Sequence, residues 1–138
     1  MRGGREKAGD ELLQAKLAAN FYRDIDLNKF YPKMEVKGVE KVGDKDAYVI
    51  VATPDGLPAE TFYFDTVSGL LLRSDSTAIA PEGNTVIMSF FEDYRDVDGV
   101  KVPFRTRSAL PQYELITTLT EVKHNVPIDD AKFSKPKP

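Results

Sequence analysis

His124 is the one histidine of the chain, and cysteine is absent. A zinc site needs three or four His, Cys or carboxylate ligands, and thiolate or haem-attachment chemistry needs cysteine. His124 therefore reads as an ordinary edge or surface residue at the end of a strand. The stretch FEDYRDVDG crowds Glu92, Asp93, Asp96 and Asp98 into one hairpin. Oxygen-rich loops hold calcium, yet this spacing departs from the EF-hand pattern, and Asp before Gly in a tight turn has a backbone reason of its own. Asp129 and Asp130, after Pro127, read as a turn or as the cap of a last helical turn ending in Phe133. Ser68, Ser74, Ser76, Ser89, Ser108 and Ser134 sit in no G-x-S-x-G elbow, and one histidine is thin support for a triad. No G-x-x-x-x-G-K or G-x-G-x-x-G phosphate loop precedes a helix. The residue types point away from catalysis, and neither a metal nor a cofactor is expected.

What remains is a surplus of apolar residues, and it concentrates in FYFDTVSGLLLRSD, residues 62–75. A strand with one wet face alternates apolar and polar residues, whereas Phe62, Tyr63 and Phe64 are consecutive, as are Leu70, Leu71 and Leu72. Both faces of the sheet need cover here.

The elements that carry these residues follow from periodicity. In DELLQAKLAANFY, residues 10–22, Leu13, Leu17 and Phe21 recur at intervals of four behind Asp10, a plausible N-cap. An amphipathic helix with those three residues buried against the sheet is expected. A second short turn starts at Asp26, and Pro32 ends it. From Met34 the pattern turns to strands. MEVKGVEKV brings Val36 and Val39 out of phase with Gly38 between them, where a bulge restores the register. DAYVIVA, TFYFD, LLLRSDS, TVIMSFFEDYRD, VKVPFRTRS and YELITTLTEVKHN follow at meander spacing, with Asp98-Gly99 as the strongest hairpin signal. Seven strands joined by tight turns imply an antiparallel sheet, and hence an α+β fold. The expected organisation is one domain over 1–138: a flexible lead over 1–9, a helical part over 10–31, the meander over 34–133 and a tail over 134–138.

Composition agrees with one core. At 138 residues and 41% hydrophobic, the chain buries a single domain. Nineteen Lys and Arg against 22 Asp and Glu leave a net charge of −3, so no field favours a polyanion and nucleic acid is not an expected partner. No run approaches the roughly 18 apolar residues of a membrane span, and the start MRGGREKAGDE lacks a secretory signal.

FYFDTVSGLLLR, FFEDYRDVDGVKVPFRTRS and EVKHNVPIDDAKF together resemble the last strands of the lipoprotein-carrier (LolA/LolB-like) superfamily. The resemblance is closest to the LolA-like domains that acidobacterial proteins append to other extracytoplasmic modules, including cytochrome c-type subunits. It covers roughly residues 34–133, with FYRDIDLNKFYPK as an extension. It implies a strongly curved antiparallel half-barrel whose concave side holds an acyl chain or another apolar ligand, or is plugged by helices. It also implies a periplasmic or otherwise extracytoplasmic location. Family domains are longer on the N-terminal side, so the chain corresponds to the C-terminal part of such a domain, and it has no lipobox Cys.

The ligand face expected on this basis comprises Tyr48, Ile50, Phe62, Phe64, Leu70, Leu72, Met88, Phe90 and Phe104, with Val102, Leu115 and Leu119 beside them. Val49, Val51, Tyr63, Leu71, Ile87 and Phe91 are expected on the opposite face, which a lipid-like ligand, a second copy of the chain or an N-terminal neighbouring domain would cover. Two functions follow: a non-catalytic binding domain for an apolar or lipid-like ligand, or a structural or interaction module whose half-barrel is filled by its own helix.

Overall fold

The computed structural model describes residues 4–137; residues 1–3 of the expected lead and residue 138 of the expected tail lie outside them. Two short helices, α1 (Gly9–Ala18) and α2 (Leu27–Phe30), lead into seven strands. These are β1 (Lys33–Val42), β2 (Lys45–Thr53), β3 (Glu60–Asp65), β4 (Leu71–Ala78), β5 (Thr85–Val97), β6 (Val100–Ala109) and β7 (Glu114–Thr118), before a 3-10 turn, Asp130–Phe133. The strands lie in chain order in one sheet, each antiparallel to the next. This is the seven-stranded meander with an N-terminal helix that the turn spacing predicts.

The tight turns have the expected chemistry. Asp98 and Gly99 both take positive φ, 54° and 82°, as the two central residues of a twisted hairpin require. The Asp96 carboxylate accepts the Gly99 N–H at 2.8 Å and closes that turn. In the β3–β4 turn, the Asp65 carboxylate accepts from the Val67 N–H and the Ser68 hydroxyl. β7 is shorter than YELITTLTEVKHN suggests. After the Leu119 N–H donates to the Phe104 carbonyl, the chain leaves the sheet, Glu121 pairs with Lys123, and His124 meets Asp98 of the β5–β6 turn at 3.3 Å. The Asp129 side chain caps the final turn through the Ala131 N–H, as its position implied.

Two bulges set the phase of the sheet. The first falls where Gly38 marks it: pairing passes from Val36 opposite Ile50 to Gly38 opposite Val49, and Val39 returns to the Val36 side opposite Tyr48. The second separates Tyr63 opposite Arg73 from Phe64 opposite Leu71, leaving Leu72 as the extra residue. Because side chains alternate with period two, one extra residue exchanges the faces of everything beyond it. Leu71, Ile87 and Phe91 therefore join Phe62 and Phe64, whereas Leu72, Met88 and Phe90 join Tyr63. The division of apolar residues expected from the sequence is corrected over β4 and β5, while Phe104 of β6 keeps the expected side.

Each face has its own core. Ala47, Val49, Tyr63 and Leu72 pack together with Val42 on the Tyr63 face. On the Phe62 face, Tyr31, Ala52 and Phe62 are joined by Leu27, Phe30, Met34, Phe64 and Leu71. Tyr31, only 1% exposed, meets the Phe62 ring edge to face at 5.7 Å between centroids. The second short turn, α2, is thus what buries this end of the sheet. Val49 and Tyr63 are buried by intramolecular packing, so they do not form the exposed second face expected of them.

The leading helix also differs from expectation. α1 ends at Ala18, so Phe21 lies beyond it and is 80% exposed, Leu13 is 42% exposed, and no α1 residue is buried. Asp10 is inside the helix and the N-cap position is Ala8. The reason is Gln14. Its amide donates to the Thr77 carbonyl at 2.6 Å and accepts the Ile79 N–H at 3.0 Å, tying the helix to the end of β4 through polar bonds. Leu17 is left half-buried, and Leu13 lies beside Gly56 in the connection from β2 to β3.

Candidate functional site

The nine residues expected to line one ligand face divide between two. Tyr48 pairs with Phe64 and Ile50 with Phe62, so these four share the Phe62 face. Phe104 alternates with Pro103 and Arg105, and lies on the same side as Thr106, which pairs with Phe91. Leu72, Met88 and Phe90 are on the Tyr63 face, and Leu70 precedes β4 in the turn, half-buried. The bulge at Leu72 is the cause for Leu72, Met88 and Phe90, whereas Phe104 keeps its expected side.

The structure assembles a groove on the Phe62 face, between α1 and the sheet. Its volume is 470 Å³, within the roughly 300–1,000 Å³ typical of small-molecule sites. Phe62, Leu71 and Phe91 form an apolar floor, and Ser74 and Ser76 continue it along β4. The helix wall is Glu11, Gln14, Ala15 and Ala18, one face of α1 at helical spacing. Glu60 and Arg23 stand at the groove as well. Sequence reading assigned no role to Glu60, Arg23 or the serines and placed Leu71 and Phe91 on the other side. Nothing in local composition marks Leu72 as a bulge.

Glu60 gives the groove its electrostatic character. It is on β3, two residues before Phe62 and therefore on the same side. The Tyr31 hydroxyl donates to Glu60 Oε2 at 3.2 Å. Burial pushes the Glu60 carboxyl above its usual range, against the pull of the Arg23 charge. Burial also raises the Tyr31 hydroxyl far above the ordinary phenol, and the Glu60 charge adds to it. Arg23 itself pairs with Asp24 at 2.9 Å.

The Tyr63 face has a different chemistry. A pocket of 390 Å³ lies between the β1–β2 turn and β5, lined by Val42, Lys45, Leu72, Phe90, Tyr94 and Arg107 among others. Around it, charge is paired. Arg73 binds Asp75 at 2.7 Å, Arg105 binds Glu92 at 2.9 Å, and Arg107 reaches Glu92 and Glu114. The acidic hairpin residues are accounted for in this way: Glu92 by arginines, Asp93 by Arg95 and Asp96 by Lys101 and the turn backbone. Among the described residues, no three His, Cys, Asp or Glu side chains converge as a metal site. No helix among them is long and apolar enough to cross a membrane.

No protein-family model and no curated protein matches the chain. Among solved structures, the chain is similar to a DUF1329 family protein from Desulfovibrio piger ATCC 29098, with a TM-score of 0.59 and 21% identity. The similarity covers 84% of this chain and 54% of the other, so the chain spans about half the length of that protein. At this identity the likeness shows the fold alone.

Proposed function

We propose that the chain is a non-catalytic, extracytoplasmic binding domain of lipoprotein-carrier type, and that its Phe62 face is the ligand side of a half-barrel taking an apolar or lipid-like molecule beneath α1. One observation carries this reading. The groove has an apolar floor of Phe62, Leu71 and Phe91, but α1 offers it Glu11, Gln14, Ala15 and Ala18 in place of leucines. A helix that served as a plug would insert its large apolar residues, because burial is worth roughly 25 cal/mol per Å² of apolar surface. The placement of paired charges supports the same assignment: Arg73, Asp75, Glu92, Arg105 and Arg107 gather on the other face, beside its own apolar cluster, and leave Ile50, Phe62, Phe64, Leu71 and Phe91 on the groove side. The periplasmic or other extracytoplasmic setting rests on the resemblance of the strand motifs to the carrier superfamily.

Native mass spectrometry of the purified protein tests this reading. A bound apolar molecule that solvent extraction removes, with an environment-sensitive dye then taking its place, is the expected result. Protein that carries no such molecule and takes up neither dye nor fatty acyl probes overturns it.

A second reading, an interaction module within a larger assembly or a homodimer, is favoured by a separate observation. Val36, Val39 and Tyr48 form a contiguous exposed apolar strip at the β1 edge of the Phe62 face, outside the groove. The match covers 54% of the solved structure of similar fold, and the remainder of that protein suggests one kind of cover for such a strip.

A further inference from the structure

Resting on the ligand-binding reading of the groove, we infer that Glu60 is its polar anchor and selects an amphiphile whose uncharged head group donates hydrogen bonds, of which a monoacylglycerol is the simplest type. The inference starts from a half-buried carboxylate with one oxygen to spare. Glu60 Oε2 receives the Tyr31 hydroxyl, and among the described residues no protein donor reaches Oε1 and no cation lies within ion-pair distance. Oε1 is open to the groove and is not a buried orphan, and an ionised carboxylate offers acceptors only. A ligand group that reaches it from the groove is therefore a donor.

The other charges around the groove are already engaged. Glu11 is gripped by both terminal nitrogens of Arg5, each at 2.7 Å, and by Lys7 at 3.3 Å. Arg23 is held by Asp24. The lining holds Lys7 and Arg23 against Glu11, Asp24 and Glu60, two positive and three negative charges, a balance of −1 that opposes an anionic head. Phe62 follows Glu60 at the next position on the same face, and Leu71 and Phe91 extend the floor away from it. An acyl chain on these three residues places its head at Glu60.

Laurate and monolauroylglycerol share one acyl chain and differ in the head, so their dissociation constants, measured by titration calorimetry at pH 8, isolate the anchor. Monolauroylglycerol is expected to bind about tenfold more tightly, a difference of about 1.4 kcal/mol. Glu60→Gln keeps the shape. Its amide oxygen retains the Tyr31 hydroxyl and its NH2 faces the groove as a donor, so laurate should gain and the preference should fall to about one. Tyr31→Phe, which leaves the carboxylate in place, should keep the preference. Equal binding of the two lipids to wild type, or a preference that Glu60→Gln leaves unchanged, overturns the anchor role while the groove stands. If neither lipid binds wild type, the groove reading fails and the anchor fails with it.

Discussion

The guanidinium of Arg107 stands 4.1 Å from the centre of the Phe90 ring. From the neighbouring strand, Arg73 lies 5.4 Å from the same ring and 4.7 Å from that of Tyr63. Tyr63, Arg73, Phe90 and Arg107 thus form a ladder over β3, β4, β5 and β6, and each arginine is held in place by a carboxylate. These guanidinium–ring contacts join the strands beside the apolar cluster of Ala47, Val49, Tyr63 and Leu72 on the same face. Lysine cannot reproduce it.

Arg107→Lys should accordingly cost about 0.5–1 kcal/mol in urea denaturation, the range of an exposed cation–π contact. A double-mutant cycle with Phe90→Leu should return a coupling of at least about 0.5 kcal/mol. Strict additivity would mean that the ladder is a geometric coincidence.

Phe62 and Leu13 should respond very differently to truncation. Phe62 is buried between Tyr31 and the strands, so Phe62→Ala is expected to cost about 3–5 kcal/mol. Leu13 belongs to a helix without a buried residue, and Leu13→Ala should stay within about 0.5 kcal/mol. Comparable losses for the two in chemical denaturation would show that α1 is docked through its leucines after all.

That contrast shows what the sequence makes legible. Gly38 and the Asp98-Gly99 pair need backbone angles that most residues avoid, so they announce the first bulge and the β5–β6 hairpin, and the number and order of strands follow. The second bulge has no such marker. Leu70, Leu71 and Leu72 are chemically alike, and either leucine suits either face, so the phase of β4 and β5 is set by pairing with Tyr63 and Phe64 across the sheet. The ligand face was legible up to β3 and again at Phe104 on β6, and it was inverted over β4 and β5 for that reason. The orientation of α1 was hidden for a related one. Spacing of four displays Leu13 and Leu17, but two hydrogen bonds from Gln14 to the backbone of β4 decide which side meets the sheet.

Glu60 should leave a signature in the pH dependence of stability. Burial raises its folded pKa above the ordinary 4.5, so between those two values the folded state holds a proton that the unfolded state has lost. Stability from this group is therefore greatest at low pH and is lost as pH rises through the folded pKa. Glu60→Gln removes the titration. Its melting temperature should exceed that of wild type at pH 8 and approach it at pH 4, when measured by differential scanning calorimetry. A variant less stable than wild type at pH 8 would show that the charge is better compensated by Arg23 than the distances indicate.

The β1 edge yields the last expectation. Its backbone is unpaired on one side, and Val36, Val39 and Tyr48 are 67%, 54% and 47% exposed on one face of it. Lys33, Lys37 and Lys41, together with the bulge at Gly38, discourage a strand from adding edge to edge. The apolar strip is not protected in that way, because it projects from the face and not along the edge. Association should therefore proceed through the face, with side chains in contact and the ladder left open. Tyr48→Glu, at an exposed position, should leave the thermal transition within a few degrees of wild type and weaken the concentration-dependent association of wild type in sedimentation velocity. Lys37→Val, which strips charge from the edge, should leave association nearly unchanged. The opposite pattern, insensitivity to Tyr48→Glu with strong enhancement by Lys37→Val, would assign the contact to strand addition at β1 and remove the face from consideration.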